Sequence, residues 1–228
     1  MTPNQLSESL LLAVKTQKNS EQLVSQLAGL RLANLTVDLN SDHRKKAFWI
    51  NCYNAFFQLL SAEGKSKPQI YKQRLITIAQ NKFSLDHIEH GIIRRYRFKY
   101  SFGFLPNLFA STLIKKLAVD NIDYRIHFAL NCGAKSCPPI AFYSADKIER
   151  QLQLATEAFL ESDSKFDLDK KELHVSKLFQ WYHHDFGGKS GIRKIHTDLF
   201  NKDFKDFAIK YNTYSWELQL ENYSPVDR

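Results

Sequence analysis

No apolar run in this chain of 228 residues approaches the roughly 20 residues that a membrane-spanning helix needs. The first residues, MTPNQLSESLLLAVKTQKNSEQ, lack the basic start, long apolar centre and small-residue cleavage pattern of a secretory leader. A soluble, cytoplasmic protein is the expectation, although a leader removed ahead of Met1 would leave no trace here. Cysteine is scarce as well. Cys52, Cys132 and Cys137 are too few and too odd in number for a disulfide scaffold, and they fit a reducing compartment. There is no Cys-x-x-Cys or His-Glu-x-x-His pair, so no metal and no cofactor is expected. The nearest approaches to a ligand set, Glu89 and His127 with a cysteine, or His183, His184 and Asp185, have no diagnostic spacing. Repeats, low-complexity tracts and linkers are absent too, which predicts one domain over residues 1 to 228.

What is present is enough apolar matter for a core, with 43% hydrophobic and 13% aromatic residues. Lys and Arg outnumber Asp and Glu by 32 to 24, a net charge of +8 that favours acidic partners or anionic surfaces. The densest basic piece, Arg94 to Tyr100, interleaves bases with aromatics as single-stranded nucleic-acid platforms do. It is one short run in a dispersed excess, and solvated arginines on a helix end or strand explain it equally well, so nucleic acid is not the expected partner.

Hydrophobic periodicity predicts a helix-rich α+β fold with a small, mostly antiparallel sheet. Leu6, Leu10, Val14, Leu23, Val24 and Leu27 recur at helical intervals and predict one amphipathic helix over residues 4 to 28. A helix over about 44 to 60 is apolar on nearly every side and is expected to be central and buried. Its exceptions, Asn51, Asn54 and Gln58, share one stripe, and buried amides must find partners. Ser84 is expected to cap a helix running to about Arg94, in which Glu89 projects among Leu85, Ile92 and Ile93. A buried carboxylate of this kind pairs, takes up a proton or performs a function. The run IHFALNCGAKSCPP, residues 126 to 139, reads as a strand with His127, Ala129 and Asn131 on one face. Gly133 then turns the chain so that Ser136 and Cys137 return toward His127. Further expectations are a helix over 107 to 116, a long helix from Ser144 to about Leu160 and two strands between Phe166 and Val175. Helices near 190 to 200 and 202 to 210 and a terminal strand over 214 to 220 complete the set.

Five segments together resemble one known family: AFWINCYNAF at 47 to 56, SLDHIEHGIIR at 84 to 94, IHFALNCGAKSCPPI at 126 to 140, FQWYHHDFG at 179 to 187 and YSWEL at 214 to 218. In this order they resemble the domain of unknown function 547 family of bacteria, plants and animals. The resemblance implies that Asn51, Tyr53, Asn54, Glu89, His127, Cys132, Gly133, Ser136, Cys137, Pro138, Trp181, Asp185 and Trp216 stand at motif positions. Two positions depart from the pattern: Cys52 replaces an apolar residue, and Ser215 stands where an Asp is usual. The resemblance supplies a fold and no reaction, so the chemistry rests on the residues.

Those residues suggest a thiol nucleophile, Cys137, activated by His127, with Glu89 or Asn131 orienting the imidazole. Asn51, Asn54 and Ser136 are the expected substrate-binding groups, the amides donating to a substrate carbonyl or its oxyanion. The reaction would be acyl transfer, as in hydrolysis of a peptide, amide or thioester in a small-molecule or peptide substrate. A papain-like order using Cys52 is weaker, because Cys52 lies deep inside its helix. Two alternatives stay open. Cys132 and Cys137 suit a reversible redox pair across the glycine turn. A satisfied polar network would instead make a non-catalytic module whose Trp181, Tyr182 and Phe186 meet a protein partner.

Overall fold

The computed structural model describes residues 1 to 224; the last four residues of the expected domain lie outside that range. The helices are α1 (Pro3–Lys15), α2 (Glu21–Gly29), α3 (Leu32–Asp38), α4 (Asp42–Ala62), α5 (Lys67–Lys72), α6 (Thr112–Leu117), α7 (Ile148–Asp163), α8 (Leu178–Trp181) and α9 (Gly188–Phe200). Strands β1 (Ile76–Ile78) and β2 (Asn81–Phe83) form an antiparallel hairpin. In the second sheet, β3 (Lys165–Asp167) and β4 (Glu172–Val175) are antiparallel, and β5 (Ala208–Tyr211) joins β4 in parallel. The fold is thus helix-rich α+β. No helix among the described residues is long and apolar enough to cross a membrane.

Helix α4 is the axis of the fold. Ser41 caps it by accepting the Arg44 N–H, and from Lys46 to Gln58 every side chain is buried. Trp49, Ile50, Tyr53 and Phe57 anchor a core shared with α1, β1 and the segment around Ile88 to Ile93. A second core gathers Phe128, Phe159, Phe179, Phe186, Ile192 and Phe204 between α7, α9 and the second sheet.

Several local expectations are corrected. The first amphipathic stretch is two helices, because Gln17 takes a left-handed conformation (φ 53°) and turns the chain between α1 and α2. The 107 to 116 helix is confined to α6, whose first turn Ser111 caps. Residues 202 to 210 end in β5, and 214 to 220 contribute a single bridge, Ala134 to Leu218. His127 sits on a 3-10 helix, Tyr124–Phe128, in place of the expected strand. Ile126 enters the first core and Phe128 the second, so this short helix joins the two and His127 lies at their junction. Asp123 caps it at the Arg125 N–H and binds Lys46, which is buried and also reaches Glu149 of α7. Burial alone would raise the Asp123 carboxyl, but hydrogen bonds from Arg125 and Lys46 overcome that and hold it at about 2.

Candidate functional site

Glu89 lies on a π-helix, His87–Ile93, in which the Arg94 N–H reaches back five residues to the Glu89 carbonyl. Ser84 Oγ accepts the His87 N–H at the start of this segment, as the sequence suggests. Wide turns of this kind recur at functional sites. Here the turn keeps Glu89 buried and aims it at two phenols: Tyr182 donates at 2.6 Å and Tyr53 at 3.1 Å. Burial would raise the Glu89 pKa, yet His90, the Tyr182 hydroxyl, Arg94 and His127 together pull it below its ordinary value. The carboxylate is therefore ionised, and it pushes the Tyr182 phenol, already raised by burial, further up.

The carboxylate that holds His127 is Asp185, with Nε2 to Oδ2 at 2.8 Å; Glu89 does not take the orienting role expected of it. Burial disfavours the Asp185 anion, but hydrogen bonds from His127 and from Arg94 (Nε to Oδ2, 2.6 Å) outweigh it and hold the acid at about 2. An ionised carboxylate only accepts, so Nε2 carries the proton and Nδ1 of the neutral ring keeps its lone pair. Burial, opposed by Asp185, lowers the His127 pKa and favours that neutral ring. Tyr182 stacks on the imidazole at 3.9 Å, and the Arg94 guanidinium lies 4.6 Å from the centre of the same Tyr182 ring. Arg94 also donates to Nδ1 of His90 at 2.6 Å, which makes that histidine an acceptor there. Three of the network's members, Asp185, Tyr182 and Arg94, lie outside the residues the sequence offers for a Cys137 and His127 site. Asp185 is signalled by its motif position in the resembled family and by its place beside His183 and His184, where it suggests a metal ligand and not the partner of His127.

The loop after the 3-10 helix carries Cys132 and Cys137. Asn54 donates to the Ala129 carbonyl and accepts the Asn131 N–H. Asn131 in turn donates to the Pro138 carbonyl and accepts the Gly133 N–H, closing the loop at both ends. Gly133 has φ 68°, and a Cβ there would strike the Phe57 ring. Asn51 bonds to both backbone groups of Tyr143, and Ser136 Oγ accepts the Ser215 N–H. The groups expected to hold substrate, Asn51, Asn54 and Ser136, thus bind backbone, Asn51 that of Tyr143 and the other two that of the loop and its strap; Asn131 likewise shapes the loop, and its side chain bonds to Pro138 and Gly133 and not to His127.

Cys132 and Cys137 form a disulfide across this loop. Neither sulfur is then a thiol, so thiolate attack by Cys137 is closed in this state. Cys132 is the more accessible of the two, Cys137 being only 5% exposed. The Tyr214 hydroxyl contacts both sulfurs, at 3.4 and 3.1 Å, and the Cys132 N–H points at Cys137 Sγ from 3.1 Å. Backbone pairing of Lys135 with Glu217 and of Gln219 with Gly133 straps residues 214 to 219 to the loop. That strap brings Tyr214 and Trp216 over the site, with Trp216 stacked on Trp181 at 5.4 Å. Cys52 is fully buried in the core, and burial raises its thiol far above the ordinary value. Phe186 is also core, and Tyr182 belongs to the network, so neither presents itself to a partner.

Together these groups line one pocket of about 180 Å³: Glu89, His90, His127, both disulfide cysteines, Tyr53, Tyr182 and Tyr214 among them, under Trp181 and Trp216. Among the described residues no cluster of three or more His, Cys, Asp or Glu is arranged to hold a metal ion. The arrangement offers a sulfur pair, a neutral imidazole and an ionised carboxylate facing one small aromatic cavity. No curated protein and no solved structure matches the chain. The family model described as a protein of unknown function, DUF547, matches residues 37–160, which include α4, the Glu89 helix and the disulfide loop. That match spans more than half of the sequence, and the chain belongs to the domain of unknown function 547 family.

Proposed function

We propose that the pocket is a thiol/disulfide redox site in which Cys132 and Cys137 are the reversible pair. One observation carries the reading: the disulfide is part of the wall of a pocket that also contains His127 and Glu89, not a staple buried away from any cavity. A substrate thiolate would attack Cys132, the more accessible sulfur, forming a mixed disulfide and releasing Cys137 as thiolate. The Tyr214 hydroxyl and the Cys132 N–H are placed to stabilise that leaving sulfur. A second substrate thiolate then attacks the substrate sulfur of the mixed disulfide, releasing Cys132. Two substrate thiols become a disulfide, and their two electrons and two protons pass to the cysteine pair. In a reducing compartment the pair would cycle; in an oxidising one it would rest as the bond seen here.

A second reading rests on the same geometry. Once reduced, Cys137 is a free thiol in the pocket of His127, and acyl transfer with Cys137 as nucleophile and His127 as base becomes chemically available. Here Asp185 replaces Glu89 and Asn131 as the orienting group, while Glu89 supplies charge to the pocket.

The redox reading is tested by equilibrating the folded protein in glutathione and dithiothreitol buffers and counting free thiols. A midpoint in the range of exchange-active pairs, about −120 to −270 mV, supports it. A bond that opens only below about −300 mV, or only on unfolding, would make it structural and end the proposal. Tyr214→Phe should make the pair harder to reduce, by roughly 30–65 mV for one hydrogen bond to the charged thiolate.

A further inference from the structure

From Arg94 to Val119 the chain carries six bases and no acid. The same stretch displays Phe102, Leu105, Leu108 and Phe109 with 55, 63, 75 and 97% of their surfaces exposed. Single exposed apolar residues need no explanation, but adjacent ones ringed by bases do. Nor is this a loose loop. Arg97 and Pro106 form an antiparallel bridge, the Phe98 N–H bonds to the Leu105 carbonyl at 2.8 Å, and the Asn107 N–H bonds to the Tyr96 carbonyl at 2.6 Å. Asn107 Oδ1 then accepts the Phe109 N–H, setting the turn that points Leu108 and Phe109 outward. Ordered backbone that presents large apolar side chains to water implies a partner for them.

Charge decides which partner. Arg95, Lys115 and Lys116 are exposed beside the tip, and the Lys115 ammonium sits 3.3 Å from the Leu108 carbonyl. A cation at the edge of an apolar point suits a surface that is anionic outside and apolar just beneath. Two copies meeting here would set the exposed Arg95, Lys115 and Lys116 of one against those of the other, and like charges oppose that contact. Single-stranded nucleic acid stacks successive bases on successive π-faces, whereas here the exposed Phe102 and Phe109 are separated by Leu105 and Leu108, which have none. We propose that residues 97 to 109 form a peripheral docking element for an anionic phospholipid bilayer. Leu105, Leu108 and Phe109 enter the boundary between headgroups and acyl chains, and Arg95, Lys115 and Lys116 meet the headgroup anions. The element is anchored on the buried polar network: Gly103 (φ 85°) packs where any Cβ would collide with Asp185, and the Phe102 carbonyl accepts the His184 N–H.

The test is co-sedimentation of the full chain with phosphatidylcholine vesicles prepared with and without phosphatidylserine, at low and high salt. Binding should need phosphatidylserine, weaken with salt, and fall at least about tenfold in the double variant Leu108→Ser, Phe109→Ser. Those side chains lie outside the core, so thermal unfolding of the variant should match the parent. Lys115→Glu with Lys116→Glu should weaken binding to the mixed vesicles without creating affinity for neutral ones. Absence of sedimentation, or equal binding by the serine variant, overturns the proposal. So does an oligomer that the serine variant dissolves, or tighter binding to oligothymidylate than to the vesicles, since either would assign the surface to another occupant.

Discussion

His127 and Asp185, 58 positions apart, meet at 2.8 Å with side chains no more than 1% exposed. The pair joins the 3-10 helix to the segment after α8 and fixes which imidazole nitrogen carries the proton. Arg94 completes it from the Glu89 side, so one buried carboxylate orients both a base and a cation.

Asp185→Asn keeps the volume and removes the charge, leaving Arg94 buried without its anion. Removing one member of a buried pair costs about 3–5 kcal/mol. Urea unfolding should show a lower midpoint at unchanged slope, and a loss under about 1 kcal/mol would mean that Arg94 finds another partner.

Acid should destabilise the protein in two stages. His90, His127 and His196 have pKa values lowered by burial below their ordinary 6.5, so the folded state binds their protons more weakly than the unfolded chain. Their contribution is whole above pH 6.5 and is lost as pH falls below it. Asp123 and Asp185, held at about 2 against an ordinary 3.8, contribute fully above 3.8 and lose that contribution between 3.8 and about 2. Unfolding free energy measured from pH 8 to 3 should fall below pH 6.5 and fall again below 4, and His127→Gln should shrink the first step and, by removing one of the donors that hold Asp185 low, part of the second.

The clamp made by Asn54 separates into its two bonds. Asn54→Asp can still accept the Asn131 N–H and donates to the Ala129 carbonyl only when its carboxyl is protonated, whereas Asn54→Ala strands both groups. Each stranded buried group costs about 1–3 kcal/mol, so Ala should exceed Asp unless the new carboxyl is ionised. Amide exchange at Asn131 distinguishes the two variants: protected in Asp, fast in Ala.

Gly133→Ala meets both a left-handed backbone and the Phe57 ring. Left-handed strain costs about 1–3 kcal/mol before the clash is added. The melting temperature should drop by several degrees, and the Cys132–Cys137 bond should re-form more slowly after reduction, as measured by thiol counting.

Much of this fold is legible in one dimension. An apolar run from Ala47 to Leu60 specifies a buried helix whatever surrounds it, because only a helix covered on all sides can bury that pattern. Gly133 as a turn and β3 with β4 as a hairpin are likewise local matters. The 3-10 helix at His127 is not, because IHFALN alternates like a strand and only its attachment to two cores at once coils it. Residue types and spacing determined the helical axis, the sulfur pair and the presence of buried polar groups. Tertiary structure alone decided the pairings: Asp185 and not Glu89 for His127, tyrosines for Glu89, backbone for the asparagines. A buried charge fixes that it must have a partner, but which partner depends on chain segments far apart in sequence packing side by side.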